Sequence, residues 1–434
     1  MPPSLTGARV VVVSSEQPGA RMAGPAIRAL NLAEQLVAAG AVVMVAVPEE
    51  PDIDLGVTTR AFGKPGFNSF RALARESDVV ITQPQRVDVA RGLHSGRARV
   101  IYDLYVPSFV EYPASLAADD LNERTRAKLV ERNHREYATA VACGDGFLVA
   151  SERQKDFVLG ALGQAGRLRH PPDPRSEAFP RVVTVPFGLP SQQPPPPAEH
   201  VIKGRLVPDD SIVALWAGGV WNWFDPVTVV RGLAAARRTE PRLRLVFLGA
   251  GHPSPAFQGQ TASAQALASA EVQHQVDQGA VVFADEWVPY RERWSYLADS
   301  DLAVCAHFDS PETRMSFRTR FLDHLWAGLP TVCTAGGVLS DVLSAAGAAR
   351  TVPAHDEAAW AQALSQLAGD AATRAQMGQA AHELAADYTW ERVSRPAVAL
   401  VADLVAGRVG PRERPGWGDT AAYLAVAVEN RLRS

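Results

Sequence analysis

The chain has 434 residues, of which 47% are apolar, so it is long enough for two domains that each bury a core. Its formal net charge of −4 argues against nucleic-acid binding and against a basic, membrane-docking face. No apolar run approaches the roughly 18 residues of a membrane-spanning helix, and the N-terminus has no signal-peptide pattern, so we expect no integral membrane association. Cys143, Cys305 and Cys333 lie far apart in apolar contexts and predict buried thiols in a reducing cytoplasm.

The first half of the chain alternates strand and helix patterns. Residues 9–14 are a continuous apolar run, which is typical of a strand buried on both faces. Residues 26–39 carry apolar side chains at helical spacing before Gly40, and residues 42–47 form the next strand, so the chain opens with a βαβ unit. Further strands are predicted at 79–82, 100–102 and 146–150. This alternation predicts a doubly wound parallel sheet.

A proline-rich connector at 170–209 marks a domain boundary, because it is unsuited to the interior of a helix or strand. The second half repeats the alternation, with a helix at 227–236 and strands at 212–217, 243–248, 281–284, 302–306 and 331–334. We therefore expect two Rossmann-like domains, 1–200 and 201–412, that face a central cleft. Residues 413–434 include a helical pattern at 420–432 that could pack back on the first domain. In such open sheets, ligands bind beyond the carboxyl ends of the strands.

Residues 310–332 hold the most informative pattern. An acidic turn at 311–313 precedes Arg314, Arg318 and Arg320, and a helix is predicted to begin at Ser316 or Phe317. A helix N-terminus beside arginines favours an anion, because free backbone N–H groups and the helix dipole attract negative charge. Asp323, further along this helix, suits a vicinal diol such as ribose. Together these features predict a site for a nucleoside diphosphate.

Other common motifs are absent or incomplete. Gly249 and Gly251 lack the third glycine of a dinucleotide fingerprint, and there is no phosphate-binding loop with a G-K-[ST] end. Two D-x-D strings, at 52–54 and 299–301, could hold a divalent metal on a diphosphate. One lies in a polar loop and the other precedes a strand, so no metal site is predicted.

Residues 322–332, LDHLWAGLPTV, resemble the E-A-x-A-x-G-x-P-V-V motif of the retaining GT-B glycosyltransferases of family 4. Supporting similarity lies at 214–226, 246–251 and 388–391, with weaker echoes at 24–28 and 185–188. The resemblance implies the GT-B fold and retaining glycosyl transfer from a nucleotide diphosphate sugar, without a metal or other cofactor.

The resemblance also implies roles for individual residues. Glu312 would bind sugar hydroxyls and Asp323 the ribose, although the family's two carboxylates lie closer together in sequence. Arg318 and Arg320 would replace a basic pair that is missing after the strand at 212–217. Asp103 stands where many relatives have a catalytic histidine, which hints at an unusual sugar. The other expected donor contacts are Gly24, Gly218, Gly219, Trp221, Asn222, Phe317 and Thr319. Trp221 and Trp223 fit a cap on the core equally well.

The acceptor is predicted from the aromatic segment 104–112, through Tyr105, Phe109 and Glu111, although this segment could equally be buried. We expect a soluble small molecule, such as an intermediate of a specialised-metabolite or thiol pathway. Polysaccharide assembly, a nucleotide-sugar epimerase or pseudo-glycosyltransferase, and a non-catalytic nucleotide-sugar-binding protein stay open as alternatives. The sequence does not fix the base, the sugar, the acceptor or the oligomeric state.

Overall fold

The computed structural model describes residues 4–19, 22–116, 122–168, 181–192, 194, 199–248, 262–284, 288 and 292–408. They divide into two compact units. The first comprises Met1–Phe109, Asn122–Pro186 and Val393–Ser434, and the second Val110–Leu121 and Phe187–Arg392, each as far as it is described. The division after Pro186 falls within the proline-rich connector. The helical pattern at 420–432 lies outside the described residues.

The first unit is built on a seven-stranded parallel sheet in the order β3-β2-β1-β4-β5-β6-β7. Its elements are β1 (Arg9–Val13), α1 (Gly24–Ala38), β2 (Val42–Val47), β3 (Thr59–Ala61), α2 (Phe67–Glu76), β4 (Val79–Thr82), α3 (Val87–His94), β5 (Arg99–Asp103), α4 (Ser108–Ser115, which crosses into the second unit), α5 (Glu123–Cys143), β6 (Gly146–Val149), α6 (Glu152–Gln164) and β7 (Arg181–Thr184), with α17 (Arg395–Val405) from the end of the described chain.

Strand β1, predicted from an unbroken apolar run, is buried on both faces of the sheet. Val10 and Val12 belong to the core cluster that also contains residues of α1 and α17. Val11 and Val13 point the other way and belong to the cluster with residues of α2 and α3. Because successive strand residues face opposite sides, a sheet covered on both faces needs apolar residues at every position.

The second unit has a six-stranded parallel sheet in the order β10-β9-β8-β11-β12-β13. Its elements are β8 (Ile212–Ala217), α7 (Pro226–Ala236), β9 (Leu243–Leu248), α8 (Ala262–Ala266), α9 (Ala270–Asp277), β10 (Val281–Ala284), α10 (Arg293–Ala298), β11 (Leu302–Cys305), α11 (Pro311–Met315), α12 (Arg320–Ala327), β12 (Thr331–Thr334), α13 (Val338–Ala345), β13 (Ala349–Val352), α14 (Glu357–Gly369), α15 (Ala371–Ala385) and α16 (Trp390–Val393, which ends at the boundary with the first unit).

All the strands expected from the sequence are present, within one or two residues of their predicted ends. The structure adds β3, β7 and β13. The expectation that the connector contains no strand was wrong at β7, where Arg181–Thr184 pairs with β6. Four residues between proline-rich stretches carry too short a pattern to be recognised locally, and pairing with β6 stabilises them. No helix within the described ranges is long and apolar enough to cross a membrane.

The strand orders indicate where each unit binds ligands. In the second sheet the chain runs outward from β8 to β9 and β10, then returns to β11 on the other side. The loops after β8 and β11 therefore diverge at a topological switch point, which is where open α/β sheets bind ligands. The first sheet has the same arrangement between β1 and β4.

Candidate functional site

The segment between β11 and β12 forms two short helices rather than the single helix predicted from Ser316 or Phe317. Ser310 caps α11, its hydroxyl oxygen accepting the backbone N–H of Thr313 at 3.2 Å, and Pro311 occupies the first turn. Ser316 is extended and ends α11, and α12 begins at Arg320. The predicted start was wrong because Ser316 donates its hydroxyl to Glu312 at 2.5 Å instead of capping a new helix. Phe317 and Thr319 thus precede α12.

Helix α12 begins without a side-chain cap on its first N–H groups. It ends at Gly328, whose φ of 63° lies in the left-handed region that glycine adopts without strain. The β12 strand then follows. The first turn of α12 is closed by backbone bonds, because the N–H groups of Phe321 and Leu322 donate to the carbonyls of Arg318 and Thr319 at 3.0 and 2.9 Å. The turn lies beside the loop after β8, which Arg320 contacts at Gly219.

Glu312 and Arg318 form a buried, bidentate ion pair. The Arg318 guanidinium donates to the two carboxylate oxygens at 2.8 and 2.6 Å, and the side chains are only 6% and 3% exposed. Together with the bond from Ser316, both Glu312 oxygens are engaged. In this structure Glu312 therefore acts as the counter-charge of Arg318, not as the free carboxylate expected for sugar hydroxyls.

Arg320 is in the opposite electrostatic situation. Its Nη2 donates to the carbonyl of Gly219 at 2.7 Å, and its guanidinium lies 4.1 Å from the centre of the Phe224 ring. Among the described residues no carboxylate lies within ion-pair distance of it, and its buried Nη1 has no hydrogen-bond partner. Burial lowers the pKa of Arg320 from its usual value, but an arginine still keeps its proton. Arg320 is thus a part-buried cation that forms no ion pair with the described residues and has only the more distant carboxylate of Asp323 as a counter-charge.

Further unsatisfied N–H groups surround the same aromatic ring. Arg318 lies 4.9 Å from the Phe224 ring and 6.0 Å from that of Trp223. Trp223 Nε1, Arg318 Nε and both ring nitrogens of His307 are buried without a hydrogen-bond partner among the described residues. His307 pairs with Phe224 through a backbone bridge, so the cluster is continuous. Arginine and indole N–H groups can only donate, so they suit a ligand that offers several acceptor oxygens.

His307 is the site residue that the sequence did not reveal. It follows β11, is 1% exposed, and gave no signal beyond its place at a strand end. Burial, with a smaller contribution from the positive charge of Arg318, lowers the pKa of His307 to about 3. The ring is therefore neutral and offers one donor and one acceptor beside the arginines.

The glycine loop after β8 fits closely around these groups. Gly218 has a φ of 106°, which favours glycine, and a Cβ at this position would lie 3.8 Å from Arg320 Nη2. A Cβ on Gly219 would come within 3.2 Å of the Trp221 ring. Trp221 in turn contacts Trp223 at 6.1 Å between ring centres. Of the predicted donor residues in this loop, Gly218 and Gly219 lie at Arg320, and Trp221 packs on Trp223, which lies near Arg318.

Asp323 lies one turn into α12 and contacts Arg293, with 3.2 Å between Oδ2 and Nη1. Burial raises the pKa of Asp323, while Arg293 and then Arg320 counteract this effect. Its side chain stays 20% exposed. The carboxylate is therefore partly accessible next to the arginine site, and Arg293 is a second residue that the sequence did not single out.

The second D-x-D string is used inside the protein. Asp299 accepts the backbone N–H groups of Val201, Ile202 and Lys203 at 2.9, 2.7 and 3.0 Å. Asp301 accepts the N–H of Val213 at 2.8 Å and pairs with Lys203 at 2.8 Å. These carboxylates hold the start of the second unit against its sheet. In the first string, Asp54 accepts the N–H of Gly56 at 2.9 Å in a loop.

In the first unit, Asp103 is neutralised by Arg28. The guanidinium donates to its two oxygens at 2.6 and 2.9 Å, and Arg28 is 1% exposed. Arg28 also donates to the carbonyls of Val185 and Pro186 at 2.9 and 3.1 Å. At the end of β5, Asp103 thus forms an ion pair with Arg28. A catalytic role had been expected for Asp103. Gly24, also expected at the donor, is the first residue of α1.

The three predicted acceptor residues lie in different surroundings in the structure. Tyr105, below the Arg28 guanidinium at 4.7 Å, lines a small pocket with residues of the β1 and β4 ends. In this pocket Ser15 donates to Gln83, and Gln83 donates to the Tyr105 hydroxyl at 3.1 Å. Phe109 instead packs on Phe157, with 3.9 Å between ring centres.

Glu111, on α4 and counted with the second unit, is the third predicted acceptor residue. Burial, and then the negative charge of Glu312, raise the pKa of Glu111 to about 7, and Arg318 opposes this rise. Glu111 and Glu312 thus interact with the same arginine, Arg318, and Glu111 is the carboxyl group that keeps its proton near neutrality.

Parts of the sequence are similar to known proteins. Residues 212–370, which include the arginine site, match the family Glycosyl transferases group 1. The D-inositol 3-phosphate glycosyltransferase of Stackebrandtia nassauensis is 26% identical over 245 residues, covering 54% of this chain and 52% of that protein. Its counterpart from Corynebacterium urealyticum is 33% identical over 105 residues, covering 24% of this chain and 25% of that protein. The chain spans about half the length of the first curated relatives that it matches, and a quarter of the Corynebacterium urealyticum protein.

Solved structures resemble nearly the whole chain. Sucrose-phosphate synthase from Thermosynechococcus elongatus has a TM-score of 0.64 at 16% identity, covering 92% of this chain and all (100%) of that one. Anabaena HepE in complex with UDP has a TM-score of 0.64 at 13% identity, covering 91% of this chain and 100% of that one. These likenesses, with two parallel sheets, confirm the predicted GT-B fold.

Proposed function

We propose that this chain, which has the GT-B fold and matches the glycosyl transferases group 1 over residues 212–370, transfers a glycosyl group from a nucleotide diphosphate sugar to a hydroxyl-bearing small molecule, with retention of anomeric configuration. The observation that carries the proposal is Arg320, which forms no ion pair with the described residues and lies among buried N–H groups that lack a hydrogen-bond partner there. Leaving such donors unpaired costs free energy, and a ligand with several anionic oxygens would satisfy them.

A diphosphate fits this site better than a single carboxylate. Arg318 Nε, Arg320 Nη1 and Trp223 Nε1 are buried donors without a partner among the described residues, and all three side chains lie close to the Phe224 ring. A diphosphate has enough oxygens to accept from all of them, and Gly218 permits its close approach. Asp323 would accept the ribose hydroxyls. HepE, a structural neighbour, was solved with UDP and with UDP-glucose, so we infer a uridine diphosphate sugar as the first donor to test.

The proposed catalysis is electrostatic. As the glycosidic bond breaks, negative charge grows on the leaving diphosphate, and the fixed cation Arg320 stabilises that charge. A donor phosphate oxygen would take the acceptor proton, so no protein base is required on the face that the diphosphate leaves. We propose that this transfer needs no divalent metal, because a fixed guanidinium supplies the positive charge.

For the acceptor we propose a small polar molecule rather than a growing polysaccharide. Ser15, Gln83 and Tyr105 form a hydrogen-bonded chain of polar groups beyond the carboxyl ends of β1, β4 and β5, and such groups would bond the hydroxyls of an acceptor. The relatives named above are called D-inositol 3-phosphate glycosyltransferases. A phosphorylated polyol is therefore the first acceptor to test.

The test combines binding and turnover. A thermal-shift screen against UDP, GDP, dTDP and ADP identifies the nucleotide, because a ligand of the native state raises its melting temperature. Transfer from the matching nucleotide sugar to D-inositol 3-phosphate and other polyols is then followed with and without EDTA, and NMR of the product gives the anomeric configuration. No stabilisation by any nucleotide would refute the proposal, an inverted product would refute retention, and loss of activity in EDTA would refute metal independence.

A further inference from the structure

His355 has an unusual backbone conformation. It is the one non-glycine residue in the described ranges with a positive φ, at 60°. The left-handed region is strained for a side chain with a Cβ, and glycine would occupy it freely. Strain of this kind persists where the side chain contributes something else, and it concentrates at binding sites.

Asp225 fixes the imidazole of His355. The two side chains meet at 3.0 Å between Nδ1 and Oδ2, and the Asp225 side chain is 9% exposed whereas that of His355 is 62% exposed. Asp225 is itself held as the cap of α7, accepting the N–H and hydroxyl of Thr228 at 3.2 and 2.7 Å. The imidazole therefore contacts Asp225 through Nδ1 and is otherwise largely exposed.

The loops around His355 form a small aromatic surface at the carboxyl ends of β8, β11 and β13. Phe308 lies 5.4 Å from the imidazole between ring centres, at 31°. Its N–H donates to the carbonyl of Trp223 at 3.1 Å, which connects this surface to the arginine site. Asp225 contacts His355 and Asp356 follows it in sequence, whereas Glu357 is paired with Arg231, so the two aspartates make the surroundings unfavourable for a phosphate.

We propose that His355 and Phe308 bind a sugar ring. The exposed imidazole forms a hydrogen bond with a ring hydroxyl, which can donate or accept, and Phe308 packs against the ring's C–H groups. Asp225 is a positioning residue that acts through His355. This inference rests on the proposed glycosyl transfer, and the ring belongs either to the transferred glycosyl group or to the acceptor.

His355→Gly separates binding from structure. Glycine relieves the backbone strain, so the melting temperature should be unchanged or higher, while transfer falls roughly three- to tenfold for one lost hydrogen bond. UDP should bind as it does to the unaltered protein. His274→Ala, which changes another exposed histidine, on α9, is the matched control and should transfer normally.

The kinetic constants then identify the ring. If the transferred group is bound, His355→Gly slows hydrolysis of the nucleotide sugar in the absence of acceptor. If the acceptor is bound, hydrolysis is unchanged and the acceptor KM rises. Either pattern supports the inference. Transfer equal to that of the unaltered protein with every acceptor, or a fall in melting temperature that accounts for the lost activity, overturns it.

Asp225→Asn completes the experiment. Asparagine caps a helix as well as aspartate does, so α7 should be retained. The substitution should reduce transfer alone but add nothing in a chain that already carries His355→Gly, because Asp225 acts through the imidazole. Additive losses would overturn its positioning role. Absence of any nucleotide binding by the unaltered protein would instead refute the proposed function, so the two failures are distinguishable.

Discussion

Arg318 and Arg320 lie two residues apart and should respond to the same substitution in opposite ways. In Arg318→Met the Glu312 carboxylate, 3% exposed, loses its counter-charge. An uncompensated buried charge of this kind costs about 3–5 kcal/mol of folding free energy. In Arg320→Met no carboxylate loses an ion-pair partner among the described residues.

For Arg320→Met the structural terms nearly cancel. The variant loses the hydrogen bond to Gly219, worth about 1.5–3 kcal/mol for a charged donor, and the contact with Phe224, about 0.5–2 kcal/mol. It removes an unsatisfied buried N–H, which costs about 1–3 kcal/mol, and it adds an apolar side chain beside Phe224. We therefore expect the free energy of unfolding to change by no more than about 1–2 kcal/mol.

Arg320→Met, the less destabilised of the two variants, should show the clear loss of nucleotide affinity. Losing one charged hydrogen bond to the diphosphate, about 1.5–3 kcal/mol, weakens binding roughly ten- to hundredfold. Urea titration measures the unfolding free energies, and isothermal calorimetry with UDP measures the affinity. The reasoning is refuted if Arg320→Met binds UDP as tightly as the unaltered protein, or if it is destabilised as much as Arg318→Met.

Three further predictions follow from individual groups. Asp323→Ala should weaken nucleotide binding roughly tenfold or more in calorimetry, because it removes acceptors for the ribose hydroxyls; unchanged affinity would contradict this role. The pKa of His307 is about 3, below that of an unfolded histidine, so its contribution to stability is present above pH 6.5 and is lost as the pH falls toward 3. His307→Gln should flatten this decline in urea titrations, and an unchanged slope would contradict it. The pKa of Glu111 is about 7, above its ordinary value of 4.5, so stability should fall as pH rises through that interval, and Glu111→Gln should remove this fall in the same measurement.

The sequence predicted the two parallel sheets because their signal is local. A strand buried on both faces reads as an apolar run, and β1, β4, β8 and β9 are such runs. Strands β7 and β13 have only four residues each and are more polar, with half-buried positions. Their stability comes from pairing with β6 and β12, which residue patterns do not reveal.

The sequence predicted that the arginines and Asp323 follow a strand of the second sheet, and the structure places them after β11. Their assignment to an anion site stays a prediction. Glu312 contacts Arg318 rather than a ligand because the chain breaks between α11 and α12. The bonds of Ser316 and Arg318 to Glu312 stabilise that break, and the residue pattern does not reveal them. His355 could not be singled out, because neither its left-handed backbone nor its contact with Asp225 has a local signature.

The unsatisfied donors around Phe224 have a consequence for the whole second unit. Each buried N–H without a partner costs about 1–3 kcal/mol, and the unfolding free energy of a domain is only about 5–15 kcal/mol. The groups on Trp223, His307, Arg318 and Arg320 thus consume a sizeable part of the stability that the unliganded fold has. A sequence retains such groups when a ligand satisfies them, since binding then restores what folding without ligand loses. A diphosphate nucleotide should therefore stabilise the unaltered chain more than Arg320→Met, by a margin that grows with ligand concentration, whereas a nucleoside without phosphates should stabilise both equally. Equal stabilisation of the two proteins by the diphosphate would show that these donors are satisfied in some other way.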